Sequence, residues 1–293
     1  MKILITGAAG QLGSALKRAL AVHPGFKGAV LDEAARSCFD LRDFGSASRW
    51  FSKKGPYDLV LHCAAMTNVD LCEKDPEGAK LVNASAAGFL AGLTQDFGGR
   101  FVFLSTDQVF SGDQSSPYRE RDQTGPVNAY GASKLLGEKL VQKMCAHSLI
   151  IRTSWLYSAS ERNFVSAICR ASRLNTEISV VTDQISCPTY APDLARAILK
   201  LCAQKAFGTY HCAGSGCCSK FDFAREILKL KGAPCRALPI TSRQYAQKTL
   251  CAPRPVYSAL DCGALQEDFG IALPAWTETL KNFFYEERPH AGN

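Results

Sequence analysis

The sequence predicts an α/β protein with a Rossmann-type, doubly wound parallel sheet and a smaller C-terminal lobe. Short apolar runs alternate with helical patterns through the first half, which is typical of a parallel sheet covered by helices on both faces. A glycine-rich turn directly follows the first apolar run. The alternation lapses within residues 154–176 and 214–293, and this lapse indicates a separate, smaller unit.

The predicted elements follow one another in a regular order. Five runs of strand length occur in the first half, at KILIT (2–6), GAVLD (28–32), DLVLHC (58–63), RFVFLS (100–105) and SLIIRT (148–153). Helical patterns separate them, at 11–21, 43–53, 74–97 and 129–146. A further β–α–β set and a last amphipathic helix complete the pattern, at ISVVT (178–182), 192–203, GTYHCAG (208–214) and 276–286. Because parallel strands need crossover connections, this order predicts one sheet covered on both sides.

Composition excludes several classes of protein. Hydrophobic residues make up 46% and charged residues 21% of the 293 residues, as in an ordinary globular protein with a core. The net charge of +7 is not concentrated in a basic run, so nothing predicts nucleic-acid binding, and an anionic small ligand suits this charge equally well. No apolar run is long enough to cross a membrane, and glycines break any signal-peptide core near the first residue.

The thirteen cysteines predict free thiols rather than disulfides or a metal site. Their number is odd and no CxxC pair occurs. The one suggestive cluster, His211 and Cys212 with Cys217 and Cys218, lacks zinc spacing. Buried free thiols are typical of a reducing compartment, so we expect a cytoplasmic protein without a metal.

The segment ITGAAGQLG predicts a dinucleotide site. It places Gly7, Gly10 and Gly13 directly after the first strand and at the start of a helix, in a GxxGxxG pattern. Gly7 permits a tight turn, Gly10 lets backbone amides approach a pyrophosphate, and Gly13 allows the helix to pack closely on the strand. The helix N-terminus then faces the phosphate charge.

Acidic residues near the second strand bear on the choice of cofactor. Asp32 is predicted to end that strand, where a carboxylate binds the adenosine ribose and disfavours a 2′-phosphate. Arg36 would have the opposite effect, so both NADH and NADPH stay open. Asp40 and Leu41 are candidates for the adenine edge, although the DLRD segment is equally a helix N-cap.

Small and polar residues follow the third and fourth strands. Ala64 and Ala65 let the chain pass close beneath a flat cofactor. Thr106 follows the fourth strand, where a reacting carbonyl would lie, with a strand-end cap as the alternative. On the next helix Tyr130 and Lys134 lie one turn apart on the same face, so their phenol and ammonium groups can share a site.

These motifs resemble the extended short-chain dehydrogenase/reductase family, and within it the dTDP-4-dehydrorhamnose reductase branch. GxxGxxG, Ser-Thr-Asp after the fourth strand and YxxxK are general features of the family. The segments AAMTNVDLCE, STDQVFSG, PVNAYGASKLLGE, RTSWLYS, VTDQISCPTYAPDLA and RPVYSALD are more specific to the branch and stand in its order. The resemblance extends from residue 1 to about 285.

The resemblance implies a reaction and a set of roles. Tyr130 would protonate the C4 oxygen of a ketosugar as hydride arrives from NADPH or NADH. Lys134 would hold the nicotinamide ribose and lower the pKa of Tyr130, and Thr106 would orient the carbonyl. The implied cofactor-binding set is Gly7, Gly10, Gln11, Leu12, Gly13, Asp32, Asp40, Leu41, Ala64, Ala65, Met66, Leu104, Tyr130 and Lys134.

The implied substrate is a dTDP-linked 6-deoxy-4-ketosugar, and the product is dTDP-L-rhamnose. Thr106 and Asp107 match substrate positions, and Trp155 would offer its apolar face to the deoxysugar. Gln108 stands where the family usually has tyrosine, which puts the identity of the sugar in question. Arg254 is either a diphosphate contact or a structural salt bridge.

The lapse in the alternation predicts a division of the chain. Residues 1–153, with roughly 177–213, would form the dinucleotide-binding domain. Residues 154–176 and 214–293 would form a substrate-binding lobe over the carboxyl edge of the sheet, where open α/β sheets bind ligands. The resemblance allows a homodimer.

Two alternative functions stay open. The chain could be another nucleotide-sugar 4-ketoreductase or an epimerase, since these enzymes share the general motifs. It could also be a non-catalytic regulatory subunit resembling the β subunit of methionine adenosyltransferase. That role predicts a damaged catalytic set, whereas Thr106, Tyr130 and Lys134 are all present.

Overall fold

A six-stranded parallel sheet forms the centre of the larger part of the computed structural model, which describes residues 1–35, 37–160, 163–249 and 251–286. The strand order is β10-β5-β4-β3-β1-β2, and every neighbouring pair is parallel. The strands are β1 (Lys2–Thr6), β2 (Val30–Ala34), β3 (Leu59–His62), β4 (Arg100–Thr106), β5 (Ser148–Thr153) and β10 (Gly208–His211). The order reverses beside β1, so the carboxyl ends of β1, β3 and β4 open on one crevice.

Helices cover both faces of this sheet. Helices α1 and α8 pack together in one apolar core with the Ile3 and Ile5 face of β1. Helices α2, α5 and α6 pack in a second core, which contains Leu4, Phe101 and Phe103. The helices of this part are α1 (Gln11–Val22), α2 (Phe44–Lys54), α3 (Val69–Lys74), α4 (Pro76–Lys80), α5 (Ala86–Asp96), α6 (Ala129–Met144) and α8 (Ala191–Ala203). The predicted fold class is confirmed.

Short paired strands and four further helices follow, and three of these helices pack around a third apolar core. The strand pairs are β6 (Leu156–Tyr157) with β9 (Thr189–Tyr190), β7 (Glu177–Val181) with β12 (Arg236–Ile240), and β8 (Ile185–Ser186) with β11 (Cys218–Ser219). The helices are α7 (Phe164–Leu174), α9 (Lys220–Lys231), α10 (Ser242–Lys248) and α12 (Trp276–Glu286), while α11 (Gly263–Phe269) packs on β10. Phe223 and Ile227 of α9 are fully buried in this core.

One predicted strand belongs elsewhere. The segment 178–182 was expected in the β–α–β set of the main sheet, but β7 pairs in parallel with β12, from Glu177 with Arg236 to Val181 with Ile240. Ile178 and Val180 pack into the third apolar core, which explains the pairing. We therefore propose that β7 belongs to the smaller lobe, and the two-lobe division stays a proposal.

Two further elements differ from their predicted bounds. The second strand begins at Val30 rather than 28, because Gly28 has φ +77°, which a strand does not allow. The predicted helix 74–97 consists of α4, a π-helical turn over Leu81–Ser85 and α5, and the separate helix α3 precedes it. Pro76 ends continuity between α3 and α4, since it cannot donate a backbone hydrogen bond.

Candidate active site

A cavity of about 1030 Å³ lies at the carboxyl edge of the sheet. Its walls come from the ends of β1, β3, β4 and β5 and from the first turns of α1 and α6. Its volume is that of a site for a large ligand, since small-molecule pockets reach roughly 1,000 Å³. The predicted site residues that line it are Gly7, Gly10, Gln11, Leu12, Gly13, Asp40, Leu41, Ala64, Ala65, Met66, Leu104, Thr106, Asp107, Gln108, Tyr130, Lys134 and Trp155. Asp32 and Arg254 do not line it.

The glycine turn fits a dinucleotide. Gly7 has φ +66°, and a Cβ there would lie 2.8 Å from the backbone nitrogen of Ala64. A Cβ on Gly13 would overlap the carbonyl oxygen of Gly7, so α1 packs against the turn only with glycine at this position. The N-terminus of α1 has no side-chain cap at Gly10 and borders the cavity. Backbone N–H groups there are placed to bind a pyrophosphate.

The hydroxyl of Thr153 gives a second reason to expect a polar ligand. Thr153 ends β5, pairs in register with Thr106 and lines the cavity. Its Oγ1 is buried and has no hydrogen-bond partner in the described part of the chain. Buried polar atoms are rarely left unpaired, so a ligand group in the cavity would satisfy this hydroxyl.

Asp32 does not occupy the predicted ribose position. It lies in the middle of β2, and its carboxylate accepts a hydrogen bond of 2.8 Å from the Tyr57 hydroxyl and lies 3.5 Å from the Lys2 ammonium. The prediction placed the strand end two residues too early, and this shift is why it failed. Arg36 lies outside the described residues, whereas the exposed Arg42 lines the cavity.

Tyr130, Lys134 and Thr106 line the same cavity. Tyr130 lies in the first turn of α6, which Asn128 caps by accepting a 2.8 Å hydrogen bond from Gly131 N–H. Lys134 follows one turn later and is buried. Tyr130 is half-buried and is hydrogen-bonded to Thr106 at the end of β4.

Burial shifts the pKa values of Tyr130 and Lys134 in opposite directions. Burial raises the pKa of Tyr130 above its ordinary value, and the hydrogen bond to Thr106 opposes this only in part. The expected lowering of the Tyr130 pKa by Lys134 stays a prediction. Burial lowers the pKa of Lys134 to about 7, against the charge of Glu138, and its Nζ lies 3.9 Å from the centroid of the Phe103 ring.

Asn83 is a site residue that the sequence did not indicate. It lies in the π-helical turn, is fully buried, and exchanges hydrogen bonds of 2.8 and 3.0 Å with the backbone of Met66. It also donates to Ser133 Oγ at 2.9 Å, and Ser133 donates to the Tyr130 carbonyl at 2.7 Å. Asn83 thus fixes α6 to the loop after β3. A polar residue within the small, apolar run LVNASAAG was the available signal.

A buried ion pair also fixes α6, in this case to β5. Arg152 of β5 donates to Glu138 of α6 through two nitrogens, at 2.9 and 2.7 Å. Ser105 also donates to Glu138. Both charged side chains are less than a tenth exposed, so this pair holds the helix that carries Tyr130 and Lys134 against the ends of β4 and β5.

Asp107 is bonded to other side chains of the protein, although it was predicted to bind the substrate. Its carboxylate is buried and accepts hydrogen bonds from Thr106 at 3.0 Å, Ser186 at 2.9 Å and Ser258 at 2.5 Å. Burial raises the pKa of Asp107, while the three hydroxyl donors lower it. Asp107 therefore connects the end of β4 to two segments later in the chain, at Ser186 and Ser258.

Gln108 and Trp155, both predicted to bind the sugar, line the cavity after β4 and β5. The Gln108 amide oxygen accepts a 2.9 Å hydrogen bond from Asn128, the cap of α6, so its side chain is held in place. Trp155 has φ +38°, which is rare for a bulky residue, and its ring stacks on Phe223 with 6.3 Å between centroids. Arg254 lies outside this lining and pairs with Asp70 at 3.0 Å.

Comparisons with known proteins identify relatives of the whole chain. Residues 1–288 match the model of the family described as RmlD substrate binding domain. The chain is 39% identical to the spore coat polysaccharide biosynthesis protein SpsK of Bacillus subtilis, over 97% of each chain. It is 40% identical to a dTDP-4-dehydrorhamnose reductase of Burkholderia thailandensis, over 94% of this chain and 95% of the relative. A crystal structure of dTDP-4-dehydrorhamnose reductase from Bacillus anthracis in complex with NADP superposes with a TM-score of 0.90 at 35% identity, over 98% of this chain and 99% of that one.

Proposed function

Because the chain belongs to the RmlD family, we propose that it uses NADPH or NADH to reduce the C4 keto group of a dTDP-linked 6-deoxy-4-ketosugar, giving dTDP-L-rhamnose. The observation that carries this proposal is the meeting of Thr106, Tyr130 and Lys134 in one cavity with the glycine turn. The B. thailandensis relative and the B. anthracis structure, the latter with NADP, bear the name of this reaction.

Tyr130 is the proton donor. The bound nicotinamide supplies the hydride to C4. The raised pKa keeps the Tyr130 hydroxyl protonated at neutral pH, so it enters the reaction as an acid and donates to the C4 oxygen as negative charge develops there. Lys134, one turn along α6, binds the nicotinamide ribose through its ammonium group.

Thr106 orients the reacting groups. Its hydroxyl is hydrogen-bonded to both Asp107 and Tyr130. When the sugar binds, its C4 oxygen accepts a hydrogen bond from Tyr130 beside Thr106. Trp155 covers an apolar face of the deoxysugar. The Gln108 amide nitrogen, which has no hydrogen bond in the described part of the chain, donates to a sugar hydroxyl.

The intact catalytic set argues against a purely regulatory role. Thr106, Tyr130 and Lys134 all line the cavity, whereas a non-catalytic subunit has no need of a buried ammonium beside a tyrosine.

We place the activity in the cytoplasm, where reduced nicotinamides are found and where the thirteen free thiols stay reduced. Among the described residues no helix is long and apolar enough to cross a membrane, and no group of side chains is suited to hold a metal ion. The homodimer stays a prediction.

A coupled assay tests the reaction. The purified chain is mixed with dTDP-4-dehydro-6-deoxy-L-mannose and either NADPH or NADH, and the loss of reduced-nicotinamide absorbance is followed. We expect turnover with the unmodified protein and a loss of about 10²–10⁴-fold in kcat for Tyr130→Phe, the usual contribution of general acid catalysis.

Tyr210→Phe is the matched control, because it also removes one phenolic hydroxyl, here bonded to Asp268 and outside the cavity lining. It should retain full activity, and both variants should bind NADP⁺ normally. No oxidation of either cofactor by any dTDP-4-ketosugar would refute the proposed reaction. Near-normal kcat in Tyr130→Phe would show that the proton comes from another group.

A further inference from the structure

Lys220 presents a positive charge beside the proposed sugar site. It is the first residue of α9, and its Nζ lies 5.6 Å from the centroid of the Trp155 ring. Phe223, three residues later on the same face of α9, stacks on that ring. One helix therefore brings both a cation and an aromatic ring against Trp155.

The position of Lys220 is unfavourable for a cation. The N-terminus of a helix carries partial positive charge, which disfavours lysine in the first turn. Lys220 is half-buried, and in the described part of the chain its ammonium has no hydrogen bond or ion pair. Burial lowers the pKa of Lys220 to about 8, and the charge of Arg254 adds to this effect.

Arg254 reaches the same region through backbone pairing. The backbone nitrogen of Lys220 donates to the Gln184 carbonyl at 3.1 Å, and Ile185 N–H donates to the Val256 carbonyl at 2.8 Å. The segment 184–185 thus lies between the start of α9 and the segment that carries Arg254. Two cations and a helix N-terminus converge here, with Asp70 as the one direct ion-pair partner of Arg254 among the described residues.

We propose that Lys220, together with Arg254, binds the diphosphate of the nucleotide-sugar substrate. The proposal rests on the function proposed above, in which the sugar lies on Trp155. The diphosphate is attached to C1 of that sugar, so it leaves the ring plane at its edge, within reach of the start of α9. The cofactor pyrophosphate is assigned to the glycine turn and does not compete for this charge. A dianion would compensate both cations and the helix terminus.

Binding of dTDP measured by titration calorimetry tests this assignment without turnover. The protein is saturated with NADP⁺, and dTDP is titrated into the unmodified chain, Lys220→Met and Lys220→Arg. Methionine keeps most of the length of the side chain and removes the charge. We expect Lys220→Met to weaken dTDP binding by about tenfold or more, since a hydrogen bond to a charged group contributes about 1.5–3 kcal/mol. Lys220→Arg should retain most of the affinity.

Lys229→Met is the matched control, because Lys229 lies on the same helix, is exposed and pairs with Glu226. It makes the same change in net charge and should leave dTDP binding within about twofold of the unmodified protein, as expected of an exposed ion pair. NADP⁺ binding should be the same in all variants, which shows that each is folded.

The outcomes separate this proposal from the proposed reaction. Equal dTDP affinity in Lys220→Met and the unmodified chain overturns the assignment of Lys220. So does an unmodified chain that binds neither dTDP nor UDP. A charge-dependent dTDP affinity in a protein that reduces no ketosugar would support the diphosphate site while refuting the reaction. Tighter binding of UDP than dTDP, lost in Lys220→Met, would support the site and change the nucleotide.

Discussion

We expect the burial of Lys134 to lower the stability of the folded chain. A lysine in the unfolded chain titrates near its ordinary pKa of 10.5, and burial lowers this value to about 7 in the folded chain. The unfolded state therefore binds more protons between these values, so the cost of burying the ammonium is complete below pH 7 and fades as the pH rises towards 10. Glu138 and Cys63 oppose the shift, while the Phe103 ring provides a cation–π contact.

Lys134→Met should consequently make the protein more stable and inactive. We expect the free energy of unfolding at pH 6 to rise by on the order of 2 kcal/mol, with a smaller gain at pH 9. Denaturant unfolding at the two pH values measures this difference. Lys139→Met, on the exposed face of the same helix, should change stability little at either pH. A Lys134→Met variant that is less stable at pH 6 would show that the ammonium makes contacts worth more than its burial costs.

We expect the cofactor preference to depend on Arg42 rather than on Asp32. Arg42 lines the cavity and is exposed, whereas the Asp32 carboxylate is occupied by Tyr57 and Lys2. Arg42→Ala should therefore raise the KM for NADPH by about tenfold relative to NADH, through loss of one charged contact to the 2′-phosphate.

Asp32→Asn should leave the ratio of the two KM values unchanged, which makes it the control for this experiment. Steady-state kinetics with both cofactors give the ratio for each variant. A change in that ratio for Asp32→Asn, with none for Arg42→Ala, would restore the role that the sequence predicted for Asp32.

At the scale of elements, sequence patterns predicted the structural features that depend on residues close together in the chain. The glycine turn, the strands of the main sheet and the Tyr130–Lys134 spacing follow from local periodicity and backbone sterics. Strand β7 has the same apolar pattern as a strand of the main sheet, and only its pairing with β12 decides where it belongs. The position of Asp32 was missed because Gly28 moved the strand by two residues, a shift within the ordinary uncertainty of element ends.

The π-helical turn is the element that sequence patterns could not show. One extra residue in the turn rotates Asn83 inwards, between the loop after β3 and α6. Its amide satisfies both the N–H and the carbonyl of Met66, and these bonds span 17 residues of sequence. π-Helical turns occur frequently at functional sites, in keeping with this position.

Asn83→Leu tests the contribution of this turn. The substitution leaves Met66 N–H without its buried partner, so we expect the free energy of unfolding to fall by about 1–3 kcal/mol. Because Ser133 and the Tyr130 carbonyl lose their support, kcat should fall as well. Asn175→Leu is the control, since Asn175 caps the exposed end of α7 and bonds only to the nearby Ala171 carbonyl. An Asn83→Leu variant with unchanged stability would mean that the loop after β3 satisfies its backbone in another way.

Across the whole molecule, hydrogen bonds from the sheet edge hold the C-terminal segments over the cavity. Asp107, at the end of β4, accepts from Ser186 and Ser258, which lie about 80 and 150 residues later in the chain. Gln11, in the first turn of α1, accepts from Ser158 at 2.9 Å and from Asn163 at 3.2 Å. These contacts join the proposed cofactor side to the proposed sugar side, so residues expected to border the cofactor also fix the segments expected to border the sugar.

Because Asp107 connects β4 to Ser186 and Ser258, we expect removal of the two serine hydroxyls to weaken sugar binding more than cofactor binding. Ser186→Ala with Ser258→Ala removes two of the three donors to a buried carboxylate and leaves it poorly compensated. We expect the free energy of unfolding to fall by about 2–4 kcal/mol, and the KM for the ketosugar to rise much more than the Kd for NADP⁺, because the glycine turn lies on the other side of the cavity. Ser172→Ala is the control, as it removes a buried hydroxyl of α7 that bonds only to the Cys169 carbonyl.

Kinetics and calorimetry on the double variant distinguish two roles for Asp107. If Asp107 contacts the sugar directly, freeing its carboxylate from both serines leaves the KM for the ketosugar unchanged or lowers it. If Asp107 acts by holding Thr106 and the lobe in place, the KM rises and kcat falls together, since Thr106 then loses its fixed acceptor. The three hydroxyl donors already occupy both carboxylate oxygens of a side chain that is only 3% exposed, which favours the second role.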